Sequence, residues 1–136
     1  MQRLICIMLW CACLLLTGPT LSGAAYFDGM EAYRLGDYKT ALREFKASDD
    51  DVKSLYMLGV MFEKGHGVKI DFTEAAAWYH KAADKDSAPA QYRLGRLYER
   101  GQGVEQNLNE AIKLYKKSSR QGNQDAKLAL KRIETP

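Results

Sequence analysis

The chain has 136 residues, 46% of them hydrophobic and 27% charged, which suits one folded domain. Those values exclude a wholly disordered chain, and the length excludes a catalytic domain set beside a separate binding domain. Twenty Lys and Arg against 17 Asp and Glu leave a net charge of +3, spread along the chain and too small to mark a nucleic-acid partner. Residues 4–16 are 13 consecutive apolar residues between Arg3 and Thr17-Gly18-Pro19, the pattern of a secretory signal peptide. As a helix they would rise about 20 Å against the roughly 30 Å of a bilayer core, so cleavage is favoured over a permanent span. The small residues Ser22-Gly23-Ala24-Ala25 offer cleavage after Ala24 or Ala25, giving a signal peptide over 1–25 and a mature domain over 26–136. Export to the periplasm or out of the cell is therefore expected, with no stable membrane span after cleavage.

Cys6, Cys11 and Cys13 all fall in the apolar run, so the mature chain would hold itself together by packing, without disulfides. Residues 26–50 read as a first helix pair turning at Gly36-Asp37, with Tyr38, Ala41 and Phe45 on one helical face. The acidic stretch Ser48-Asp49-Asp50-Asp51 reads as a loop and helix start, where carboxylates favour the N-terminal dipole. A repeat with a period of 36 follows: residues 56–83 align with 92–119, and 11 of the 28 pairs are identical. Apolar and small residues recur at helical spacing within each unit (Leu55, Leu58, Gly59 and Phe62, then Ala75, Trp78, Tyr79 and Ala82), which predicts a helix pair in 52–87 and another in 88–123.

Gly65 and Gly101 are expected to close the first helix of each pair, Gly67 and Gly103 to permit the turn, and Asp71 and Asn107 to cap the second helix. Gly59 and Gly95 lie inside helices, where glycine costs about 1 kcal/mol relative to alanine. Close approach of the partner helix accounts for them, Gly59 facing Ala75 and Gly95 facing Ala111. Trp78 is taken as a core indole. Residues 124–134 form a lone closing helix with a polar outer side, in which Ala126, Leu128 and Leu130 stand where Ala90, Tyr92 and Leu94 stand one period earlier. Lys131 replaces the expected glycine and ends the repeat.

The run Tyr-x-Leu-Gly-x-x-Phe-Glu-x-Gly-x-Gly-Val, followed by Glu-Ala-x-x-Trp-Tyr-x-Lys-Ala-Ala, strongly resembles the Sel-1-like repeats, relatives of the tetratricopeptide repeats. The first pair is closer to the plain tetratricopeptide pattern. The resemblance implies an all-α fold, an α/α superhelix of about three antiparallel helix pairs with a C-terminal capping helix and a concave face. By the same resemblance the groove-facing side would carry Tyr56, Val60, Glu63, Lys64, Tyr92, Arg93, Arg96, Glu99 and Arg100, with Tyr26, Met30, Tyr33 and Arg34 in the leading pair. Tyrosine and arginine are enriched at interface hot spots. Such a basic aromatic stripe suits an acidic peptide, a C-terminal carboxylate or an anionic envelope polymer. Packing of the tyrosines and solvation of the arginines would explain the same residues without a partner.

No catalytic constellation, cofactor motif or metal set emerges. His66 and His80 stand 14 apart with no third ligand and read as surface histidines. Gly65-His66-Gly67-Val68 lacks the Lys-Ser/Thr of a phosphate loop and recurs as Gly101-Gln102-Gly103-Val104, so it reads as a structural turn. The expected function is an exported, non-enzymatic, monomeric scaffold or adaptor that binds a protein or peptide of the cell envelope through its concave face. The alternatives are an immunity or inhibitor protein for an exported toxin, and a cell-wall ligand-binding protein or hydrolase of the penicillin-binding kind.

Overall fold

The computed structural model describes residues 22–135, and the apolar run of residues 4–16 lies outside them. Seven α-helices and no strand make up the described chain: α1 (Ser22–Arg34), α2 (Tyr38–Ala47), α3 (Val52–Lys64), α4 (Phe72–Asp84), α5 (Ala88–Arg100), α6 (Leu108–Arg120) and α7 (Gln124–Glu134). They form three hairpins and a closing helix: α3 with α4 and α5 with α6 fall within 52–87 and 88–123, whereas α1 begins at Ser22, four residues before the expected start of the leading pair. The small residues Ser22–Ala25 form the first turn of α1. No helix among the described residues is long and apolar enough to cross a membrane.

Side-chain caps fix where the helices start. Asp71 accepts the amides of Thr73 and Glu74 at 2.9 and 3.0 Å, and Asn107 accepts that of Glu110 at 3.1 Å. Asp37, Asp51, Ser87 and Asn123 do the same for α2, α3, α5 and α7, each cap being worth about 1 kcal/mol. Gly65 and Gly101 end α3 and α5 in the left-handed conformation, at φ 70° and 63°, and return the amides of His66 and Gln102 to the carbonyls of Met61 and Leu97.

The turn glycines Gly67 and Gly103 do more than permit a turn. A Cβ on Gly67 would meet Tyr38 at 2.7 Å, and one on Gly103 would run into the backbone carbonyl of Phe72. The turn of each of the two repeats is thus laid on the first turn of the preceding hairpin's second helix, and only a bare backbone fits there. Apolar burial completes the stack. Ala32, Ala41, Phe45, Leu58 and Met61 form one cluster, a central cluster spans α3 to α6, and Ala111, Tyr115, Ala126 and Ala129 anchor α7. Trp78 packs against the first two clusters, and Tyr98 against the last two.

Two expectations change in this core. Trp78 is half-buried, and its Nε1 is buried with no hydrogen-bond partner, while the neighbouring Tyr79 is the fully buried ring. Lys81 lies 4.2 Å from the Trp78 ring centroid, a cation–π contact that covers its outer side. His66 is no plain surface histidine: it stacks on Tyr38 with centroids 4.6 Å apart, and its Nδ1 is 2.7 Å from the Tyr33 hydroxyl. His80 is exposed and pairs with Asp84 at 3.0 Å, as a surface residue should.

Candidate partner-binding site

The helical glycines position the site's polar groups. A Cβ on Gly59 would lie 2.5 Å from the Tyr79 ring, and one on Gly95 would lie 2.7 Å from the Tyr115 ring. The partners are thus the tyrosines one turn beyond Ala75 and Ala111, although the Ala111 carbonyl also comes within 3.3 Å of the Gly95 position. Each glycine lets a tyrosine ring lie flat on the first helix of its own hairpin. The ring then carries its hydroxyl past that helix to the residue one turn on: Tyr79 donates to Glu63 at 2.5 Å, and Tyr115 donates to Glu99 at 2.6 Å.

The next layer of the stack, a hairpin for Glu63 and the closing helix for Glu99, supplies a cation to each carboxylate. Arg93 of α5 donates to Glu63 at 3.3 Å, and Arg132 of α7 donates to Glu99 at 2.6 Å. A phenol, a carboxylate and a guanidinium therefore staple each joint of the two repeats, and a partly buried carboxylate needs such partners to stay charged. The leading pair makes the apolar version. Phe45 lies on Gly29 as the tyrosines lie on theirs, and Tyr33 and Met57 join Phe45 in one cluster.

Burial works against the Glu99 charge, but hydrogen bonds from Tyr115 and Arg132 outweigh it and hold this carboxyl below its ordinary value. Burial first, then the bond to a carboxylate, pushes the phenols of Tyr79 and Tyr115 upward, so both remain donors at neutral pH. A lowered folded-state value means that the stability from Glu99 is full above the ordinary carboxyl range and is lost as pH falls through the lowered value. Glu99→Gln should accordingly flatten the acid limb of a stability–pH curve measured by urea unfolding, and an unchanged limb would refute the assignment.

Beside the second staple, α5 and α7 border a groove of about 690 Å³, within the usual range of ligand clefts. Of the residues expected on the concave face, Tyr92, Arg96, Glu99 and Arg100 line it. Val60 does not serve a surface, being 6% exposed in the central cluster. Arg93 is engaged by Glu63, Tyr56 lies against Tyr79 with centroids 5.9 Å apart, and Lys64 is exposed away from this groove. The sequence reading missed Tyr115, Asp125, Leu128, Ala129 and Arg132, four of them on the closing helix. Leu128 is 65% exposed, so the outer side of that helix is not uniformly polar. Among the described residues no group of three His, Cys, Asp or Glu could hold a metal ion.

The architecture defines an α/α helical repeat stack with a cleft at one end. The Sel1 repeat family matches residues 52–87 and 88–123, more than half of the chain, and the protein belongs to that family. Among solved structures, a Sel1 repeat protein from Oxalobacter formigenes is 31% identical with a TM-score of 0.75, over 77% of this chain and 44% of that one. A protective antigen of uropathogenic Escherichia coli strains with an SLR fold is 29% identical with a TM-score of 0.77, over 82% of this chain and 25% of that one. Helicobacter pylori cysteine-rich protein B shares the fold at 23% identity and a TM-score of 0.61, over 80% of this chain and 96% of its own. The chain thus spans less than half the length of the first two relatives. No curated protein matches it. Sel1-repeat proteins generally serve as protein–protein interaction scaffolds and are typically non-enzymatic.

Proposed function

We propose that the protein is an exported, non-enzymatic, monomeric adaptor that binds a protein partner of the cell envelope through the groove between α5 and α7. The groove's two free guanidiniums carry this reading. Arg96 and Arg100 lie one turn apart on α5, and neither has a hydrogen bond or ion pair among the described residues. Arginine and tyrosine, which this cleft brings together beside a leucine side chain, are residue types enriched at interface hot spots. Export is supported by the 13-residue apolar run behind Arg3 and by the small residues that follow it.

Affinity capture from cell-envelope fractions tests the interface. The wild-type protein should retain one partner in stoichiometric amount, and Arg96→Glu with Arg100→Glu should lose it while helicity and the thermal midpoint hold. Undiminished capture by the double variant would remove the groove from the interface. N-terminal sequencing of the protein recovered from the envelope tests export, with a start near Tyr26 as the expected result.

A further inference from the structure

The two staples differ at one position. Arg93 serves Glu63 across the joint of α3 with α5, and one period of 36 beyond Arg93 stands Ala129. Glu99 consequently draws its cation from Arg132, which lies one turn further along α7. In the first joint a long side chain, three-quarters buried, occupies this place. In the second joint a methyl group occupies it, and the groove lies above that methyl. The same step of 36 replaces Tyr92 with the exposed Leu128, an apolar wall facing the arginines of α5.

The electrostatics of the groove follow from who is paired. Glu99 is taken by Tyr115 and Arg132, which leaves Asp125 as the other carboxylate against Arg96 and Arg100. Arg96 lies 5.9 Å from the Tyr92 ring centroid, an orienting contact that spends none of its hydrogen-bonding edge. Two forked donors one turn apart, next to an apolar wall, match carboxylates with an apolar side chain beside them.

We infer that the groove opened by Ala129 takes an acidic peptide segment of the partner, with carboxylates on Arg96 and Arg100 and an adjacent apolar side chain on Leu128 and Ala129. This inference rests on the proposed adaptor role and names what that role recognises. Charge complementarity decides the occupant: a neutral apolar helix would leave both guanidiniums desolvated without an acceptor.

The test uses the full chain and a fluorescein-labelled peptide, Gly-Glu-Glu-Leu-Glu-Asp-Gly, followed by anisotropy at low salt. Saturable binding is expected. It should weaken by about tenfold or more when Gln and Asn replace Glu and Asp, or when Arg96→Glu and Arg100→Glu are combined. Ala129→Arg is the sharper variant, because the new arginine takes Glu99 as Arg93 takes Glu63. It should lose about tenfold or more in peptide affinity. Leu128→Glu, at an exposed position, gives the same loss and carries the test if Ala129→Arg disturbs the fold.

Absence of saturable binding, equal affinity for the amide peptide, or full affinity in the Arg96→Glu/Arg100→Glu and Leu128→Glu variants overturns the inference. So does self-association in sedimentation that the groove variants abolish, which would give the site to a second copy. If an envelope partner survives the groove variants but is lost with Tyr56→Ala and Lys64→Glu on α3, the adaptor role stands and the acidic-peptide groove falls. If no variant loses a partner, both fall.

Discussion

Gly59→Val is expected to destabilise the protein by about 3 kcal/mol, the upper part of the usual range for overpacking a core. Its Cβ would lie 2.5 Å from a ring that has no exposed surface and whose hydroxyl is held by Glu63, so neither end of Tyr79 can yield. The sign makes the experiment decisive. On helix propensity alone, valine should improve on glycine by a few tenths of a kcal/mol. Urea unfolding of Gly59→Val, with the solvent-facing Ala77→Val as the propensity control, separates the two effects, and a variant as stable as the parent would refute the flat tyrosine.

Tyr79→Ala is expected to cost about 3–5 kcal/mol, the range for removing a buried aromatic ring. That is a large part of the roughly 5–15 kcal/mol that holds a natural domain folded. Tyr79→Phe, which keeps the ring and removes the donor to Glu63, should cost about 1–3 kcal/mol. Trp78→Ala should cost less than Tyr79→Ala, since the indole is half-buried and its Nε1 makes no hydrogen bond that could be lost. Thermal and urea unfolding of the three variants gives the order, and a Trp78→Ala loss above that of Tyr79→Ala would reverse the assignment of the core ring.

The order of these two residues shows how far local pattern reaches. Helix periodicity places Trp78 and Tyr79 on one broad apolar face and does not separate neighbours 100° apart on the helix. The separation comes from the bare backbone of Gly59 across the joint, a tertiary fact. Gly65, Gly101, Asp71 and Asn107 were legible because caps are made within a few residues of the chain. So was the stack itself, because a strict period of 36 forces equivalent contacts to repeat.

The groove was legible only in part. Tyr92, Arg96 and Arg100 came from their place on the first helix of a repeat. Val60, one period before Arg96, turned out to be core because its neighbours are apolar. The far wall escaped because α7 was read as an ending, and an ending was expected to be polar. Its decisive signal was a substitution between equivalent positions, Arg93 against Ala129, which has meaning only once Glu63 is known to sit 30 residues before its cation.

Trp10 and Trp78 are the two tryptophans of the chain, and Trp78 is shared between the leading hairpin's cluster and the central one. In a mature chain starting near Tyr26, Trp78 is the remaining tryptophan, and its intrinsic emission becomes an optical gauge of one seam. Undocking of α1 and α2 would wet the indole and move its spectrum to the red, while changes confined to α7, whose cluster does not include Trp78, would leave the emission unchanged. Progressive melting from either end of the stack would then be distinguishable without an added label.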